Sequence, residues 1–105
     1  MELQNEVFRA LADPSRRAIF ERLTQGERGV KELTSDFEIS QPAISQHLAT
    51  LSRASLVCAR RDGRRTYYRA DARGLRPLVD WITQYRAFWT ERVDALEQLL
   101  EELDP

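Results

Sequence analysis

Residues 40–53 read Ser40-Gln41-Pro42-Ala43-Ile44-Ser45-Gln46-His47-Leu48-Ala49-Thr50-Leu51-Ser52-Arg53. Serine is a good helix N-cap, and proline is tolerated in the first turn, where its missing N–H would be unpaired anyway. Ile44, Leu48 and Leu51 then recur in steps of four and three, the spacing of one inward-facing helical stripe. Gln41, Ala43, Ser45, Gln46, Ala49 and Thr50 are left outside that stripe or at its margins. No charge appears before Arg53. The exposed face of a surface helix is ordinarily charged, whereas small hydrogen-bonding side chains suit base edges and phosphates. The stretch predicts a short helix that reads DNA.

Upstream, Val30, Leu33 and Phe37 give a helix of about two turns, joined by Glu38-Ile39 to the cap at Ser40. Two short helices linked by a tight turn, the second of them polar, make a helix-turn-helix over residues 30–53. Before it, Asp13-Pro14-Ser15 marks another helix start. That helix runs to about Thr24, burying Ala18, Ile19, Phe20 and Leu23, and Gly26 suits a left-handed cap. Leu3, Val7, Ala10 and Leu11 place a short amphipathic helix at 2–11.

Downstream the period changes from helical to extended. Leu56–Arg61 and Arg64–Ala70 are separated by Asp62-Gly63, a strong hairpin signal because a type I′ turn needs positive φ at both central residues. Arg60, Arg61, Arg64 and Arg65 flank the turn, so residues 56–70 form a basic wing behind the helix-turn-helix. Net charge over the chain is −1, yet residues 53–76 hold eight arginines and two aspartates, a local +6 between acidic flanks. Such a block is an electrostatic footprint for a polyanion.

Residues 75–103 read as one long helix spanning on the order of 40 Å. Leu78, Ile82, Tyr85, Trp89, Arg92, Leu96, Leu99 and Leu103 form a heptad-like stripe, with Leu75, Val79, Val93 and Leu100 beside it. One row has the domain to pack on and the other needs a partner, most economically a second copy related by a two-fold axis. Leu3, Val7, Leu78, Ile82, Tyr85, Trp89, Leu96 and Leu99 are the expected dimer contacts. The fold expected is mainly α with a small β-hairpin, one winged helix-turn-helix domain over 1–105 carrying dimerisation helices at 2–11 and 75–103.

Composition narrows the class further. A chain of 105 residues suits one domain with a modest core. No run of about eighteen apolar residues is present to cross a membrane, and the N-terminus lacks the basic-then-apolar order of a signal peptide. One cysteine, Cys58, excludes an internal disulfide and fits a cytoplasmic setting. Cys58 with His47 invites a nucleophile–base reading, but a lone cysteine in an apolar strand reads first as a small hydrophobe. No enzyme and no cofactor are expected. Two other readings stand beside DNA binding: a winged-helix protein-interaction module, and a thiol redox sensor through Cys58.

With these pieces in order, the chain resembles the arsenic-repressor (ArsR/SmtB) family of winged-helix regulators. Phe8–Arg17 is similar to the family's entry into its second helix, and Ser40–Leu48 to its recognition helix. Leu51, Ala54, Leu56-Val57 and Arg60–Tyr68 are similar to the helix exit and wing. The resemblance implies a homodimeric repressor that occupies a palindromic operator in double-stranded DNA and leaves when it senses an effector. Metal-sensing members carry Cys-x-Cys in the helix matching Val30–Phe37, or Asp/His pairs along the last helix. Here Val30–Phe37 has no cysteine and Leu75–Leu103 no histidine, so neither metal site carries over.

Gln41, Ser45 and Gln46 are the expected base contacts, with Ala43 and Thr50 on the same face, because glutamine can bond adenine bidentately. His47, at the edge of the stripe, is either a half-buried structural histidine or a phosphate donor, and the resemblance favours the phosphate. Arg60, Arg61, Arg64 and Arg65 are expected at phosphates or in a minor groove, with strand alternation turning some of them away. Of Tyr67 and Tyr68, one packs inward and the other reaches outward. Lys31, opening the third helix, is a further phosphate candidate.

Overall fold

A computed structural model describes residues 2–103. The element order is α1 (Glu2–Ala12), α2 (Pro14–Thr24), β1 (Arg28–Gly29), α3 (Val30–Phe37), α4 (Gln41–Arg53), β2 (Val57–Asp62) and β3 (Arg65–Ala70). A 3-10 turn (Ala72–Leu75), α5 (Arg76–Gln84) and α6 (Arg86–Leu103) complete it. The helix starts fall where capping chemistry puts them. The Asp13 carboxylate accepts from the Ser15 and Arg16 amides at 2.8 and 3.1 Å. The Ser40 hydroxyl accepts from the Ala43 amide at 3.3 Å, satisfying one of the donors a helix start leaves free. Between α3 and α4 the chain reverses through Glu38, whose φ of +53° ends α3 in the left-handed region.

The apolar stripes of the first four helices meet in one core: Val7 and Ala10 of α1, Ile19, Phe20 and Leu23 of α2, Leu33 of α3, and Ile44, Leu48 and Leu51 of α4. Leu56 and Val57 close it from the sheet side. Each buried Val, Leu, Ile or Phe side chain contributes about 1.5–3 kcal/mol by leaving water. Replacing Ser40 with alanine should remove the α4 cap and lower stability by about 1 kcal/mol. Ser40→Gly should cost only a few tenths, so denaturant midpoints of the two variants separate capping from other roles of the position.

The sheet carries two findings that the sequence does not signal. It has three strands, in the order β1-β3-β2, all antiparallel. β1 is only two residues, Arg28 opposite Tyr68 and Gly29 opposite Tyr67. The hairpin is also centred one residue later than expected. Asp62 pairs with Arg65, leaving Gly63-Arg64 as the two-residue loop. Gly63 has φ +64° and Arg64 does not share the positive φ, the pattern of a type II′ rather than a type I′ turn. A loop at Asp62-Gly63 would set Arg60 against Arg65; the observed register sets it against Tyr67. Like charges directly opposite are unfavourable and a cation over an aromatic ring is not. The Arg60 guanidinium carbon lies 4.9 Å from the Tyr67 ring centre.

The single C-terminal helix expected over 75–103 is broken. Leu75 belongs to the 3-10 turn, and Tyr85 (φ −111°, ψ 16°) interrupts the helix between α5 and α6. Neither glycine nor proline marks the break. It falls where the domain runs out: Trp81 stacks edge-on to Phe8 of α1 at 5.5 Å, Tyr85 lies 5.1 Å from Trp81, and from Ile82 to Leu103 every residue is exposed. Neither apolar row of α6 packs on the domain, so the division of labour between two rows does not hold there. Val7 also leaves the expected dimer contacts, because it is 2% exposed within the domain's own core. Leu78 is partly buried against that core. The side chain of Leu3 lies outside the described residues.

Candidate nucleic-acid interface

α4 presents Gln41, Ser45, Gln46 and Ala49 to solvent, while Ile44, Leu48 and Leu51 anchor its other side in the core. Ala43, His47 and Thr50 are half-buried at the margins. The Thr50 hydroxyl donates to the Gln46 carbonyl at 3.2 Å and accepts from Arg53 at 3.2 Å, so much of its capacity is used within the helix. His47 lies near the cap of α2. The Asp13 carboxyl is lowered by the Arg16 amide first, then by the Ser15 amide, with the charges of Arg16 and His47 adding to the effect.

Beside the exposed face of α4, the start of α3 and the tip of the wing enclose a cleft of about 420 Å³. Lys31 and Glu32 line it from α3, Gln41 from α4, and Arg64, Arg65 and Tyr67 from the wing. Five residues singled out in the sequence, up to 36 positions apart, are thereby gathered around one hollow whose charge is mainly positive. Glu32 is partly committed, its carboxylate accepting from the Gly29 amide at 3.1 Å. Arg61, Arg64 and Arg65 form no salt bridge among the described residues and stand exposed around the tip.

Arg60 is different. Its Nε and Nη2 donate to the two carboxylate oxygens of Glu27 at 3.0 and 2.7 Å. This fork raises the arginine's pKa and lowers the carboxyl's. Arg60 is therefore held on the sheet rather than extended towards a phosphate. Tyr67 and Tyr68 divide as alternation requires: Tyr68 packs against the core, and Tyr67 lines the cleft.

Cys58 shares the sheet face of Arg60, and its thiol donates to the Asp71 carboxylate at 3.3 Å. Asp71 also receives both a 3.0 Å Nε and a 3.0 Å Nη2 bond from Arg73. Arg73 first, and the Cys58 thiol second, hold the Asp71 carboxyl far below its usual range. Glu27, β1 and Asp71 are the parts of this region that periodicity did not single out. A larger hollow of about 860 Å³ lies between α1, the end of α4 and α5, and none of the expected DNA contacts lines it. Among the described residues no group of three or more histidine, cysteine or acidic side chains is placed to hold a metal ion. No described helix is long and apolar enough to cross a membrane.

A helix-turn-helix whose second helix is exposed on its polar face, flanked by an arginine-tipped hairpin, defines a winged-helix DNA-binding regulator. Comparison with known proteins makes the class specific. Residues 13–58 match the model of the bacterial regulatory protein arsR family. The HTH-type transcriptional regulator Rv2034 of Mycobacterium tuberculosis (strain H37Rv) is 43% identical over 97 residues, covering 92% of this chain and 88% of the relative. The transcriptional repressor SdpR of Bacillus subtilis is 33% identical, covering 77% of this chain and 90% of its own. A crystal structure titled as a possible transcriptional regulator for arsenical resistance superposes with a TM-score of 0.70 at 41% identity, over 87% of this chain and 92% of that one. The chain belongs to the ArsR family and is a DNA-binding transcription regulator of repressor type, not an enzyme.

Proposed function

We propose that the protein is a cytoplasmic homodimeric repressor that reads a palindromic operator with two copies of α4 in successive major grooves. The observation that carries this is the cleft joining Lys31, Gln41, Arg64, Arg65 and Tyr67 beside the exposed face of α4. Gln41, Ser45 and Gln46 contact base edges, with Ala43 flanking them and Thr50 and His47 at the margin nearest the backbone. Lys31, Arg61, Arg64 and Arg65 contact phosphates, and Tyr67 offers its hydroxyl at the cleft wall. The dimer forms through the apolar rows of α5 and α6, including Ile82, Tyr85, Trp89, Leu96 and Leu99, all of them exposed in the single chain. Half-sites then lie about one helical turn apart.

The absence from this sequence of the cysteine and histidine ligands used by metal-sensing relatives supports release by something other than a metal at those sites. Selection of binding sites from random DNA, followed by mobility-shift titration, tests the reading. Recovery of a two-fold symmetric site supports it; an intact protein that recovers no sequence overturns it. Gln46→Ala should cost about 1–3 kcal/mol at one or two base positions only. Arg64→Ala should weaken all sequences alike and reduce the slope of log K against log salt by about 1. Identical behaviour of the two variants would refute the division into base and phosphate contacts.

A further inference from the structure

We propose that Glu27 and Arg60 form a clamp that positions the wing against the start of α3, so that an acidic residue beside the DNA-binding surface promotes DNA binding. The inference rests on the DNA-binding role of the cleft and assigns Arg60 a positioning task there instead of a phosphate contact.

The geometry is that of a cross-sheet tie. Arg60 lies on β2, its partner across the ladder is Tyr67 on β3, and Glu27 immediately precedes β1 on the far side of the sheet. The side chain thus crosses all three strands, passing over the Tyr67 ring at 4.9 Å to reach both oxygens of Glu27. On the β1 side the Tyr67 ring lies beside Gly29, its ladder partner. The ring held between Arg60 and β1 is the same ring that lines the cleft.

What needs tying is β1. A strand of two residues has only the pairs Arg28–Tyr68 and Gly29–Tyr67 to hold it. Its last residue, Gly29, is the N-cap of α3, whose first residues Val30, Lys31 and Glu32 form the opposite wall of the cleft. Fixing β1 on β3 therefore fixes the separation of Lys31 from Arg64 and Arg65. Two phosphate-binding walls at a set spacing fit a backbone track whose spacing is also set. A wing free to swing would have to be ordered on binding, at a cost in affinity. The fork of a guanidinium on a carboxylate suits this task, because its two parallel bonds fix orientation as well as distance.

The sign of one mutation separates this reading from its rival. If Arg60 were a phosphate ligand held back by Glu27, or if Glu27 merely repelled DNA, removing the carboxylate would tighten binding. The clamp requires that Glu27→Ala weaken it, although the chain becomes less negative. The experiment uses the full chain and the DNA site selected by the wild type, over a salt series, with Glu27→Ala, Arg60→Ala and the exchange pair Glu27→Arg/Arg60→Glu. Both single variants should bind roughly fivefold more weakly, and the exchange pair should recover most of that loss. Glu27→Ala should keep the wild-type salt slope, whereas Arg64→Ala lowers it. Amide hydrogen exchange without DNA should show faster exchange at Arg28 and Tyr68, the residues paired across β1 and β3, in Glu27→Ala, restored in the exchange pair. Tighter or unchanged binding by Glu27→Ala overturns the clamp, as does an exchange pair no better than Arg60→Ala. Failure of the wild type to select any DNA would instead remove the DNA-binding reading, and the clamp's role in it.

Discussion

Gly74→Ala should destabilise the protein by about 3 kcal/mol, at the upper end of what overpacking costs. Gly74 is buried in the 3-10 turn, where a Cβ would lie 2.0 Å from the Ser55 carbonyl oxygen, 2.6 Å from its carbon and 3.1 Å from the Leu56 Cα. All three are backbone atoms, so no side chain can swing aside. They are also poorly free to move. Ser55 is held at φ +62°, Leu56 is fully buried, and the Leu56 carbonyl accepts from the Asp71 amide at 2.8 Å. This junction joins the end of α4 to the beginning of α5. For a domain this size such a loss corresponds to a fall in Tm of more than about 10 °C. Thermal unfolding followed by circular dichroism, at one fixed protein concentration because association shifts Tm, gives the value. A loss below about 1 kcal/mol would mean that the turn does not need to approach α4 so closely.

The second large effect is on assembly. If the proposed dimer forms through α6, Leu96→Glu combined with Leu99→Glu should convert it to a monomer and lower affinity for the selected DNA site by about 100-fold or more, because the second half-site is no longer bound intramolecularly. In the single chain α6 exposes Trp89, Val93, Leu96, Leu99 and Leu100, each about half accessible, and Leu103 at 72%. A contiguous apolar surface of that kind marks an interaction site. Burying carboxylates in it without partners is strongly unfavourable. The two substitutions lie far along α6 from the cleft and touch no proposed DNA contact. Sedimentation equilibrium gives the mass and mobility shift the affinity. A variant that remains dimeric would place the interface elsewhere, and a monomer with undiminished affinity would break the link between dimerisation and operator reading.

These two positions differ in how visible they are before the structure. The apolar rows around Leu96 and Leu99 stand out because side chains three and four apart share a helix face. The need for glycine at residue 74 does not, because the atoms it must avoid belong to residues 55 and 56. The same contrast runs through the candidate site. Gln41, Ser45 and Gln46 are identified by a capped helix whose core stripe leaves them outside. Arg61, Arg64 and Arg65 follow from an arginine-rich turn. Arg60 belongs to the same run and looks the same in sequence, yet its partner Glu27 is 33 residues away. A two-residue strand such as β1 has no periodicity of its own and exists because β3 offers it an edge. The hairpin register, too, was decided across the ladder: Asp-Gly permits more than one turn, and the pairing of Arg60 with Tyr67 accompanies the one adopted.

The sequence by itself determined the first four helices, the N-caps at Asp13 and Ser40, the presence of a basic hairpin and the uncharged face of α4. Each is set by interactions within about four residues along the chain, where type and spacing are sufficient. Only the tertiary structure decided that the C-terminal helix breaks at Tyr85, that Val7 belongs to the core, and that Arg60 is bound to Glu27 and not left free. Those outcomes depend on which distant segments occupy the same space, and local spacing carries no information about that.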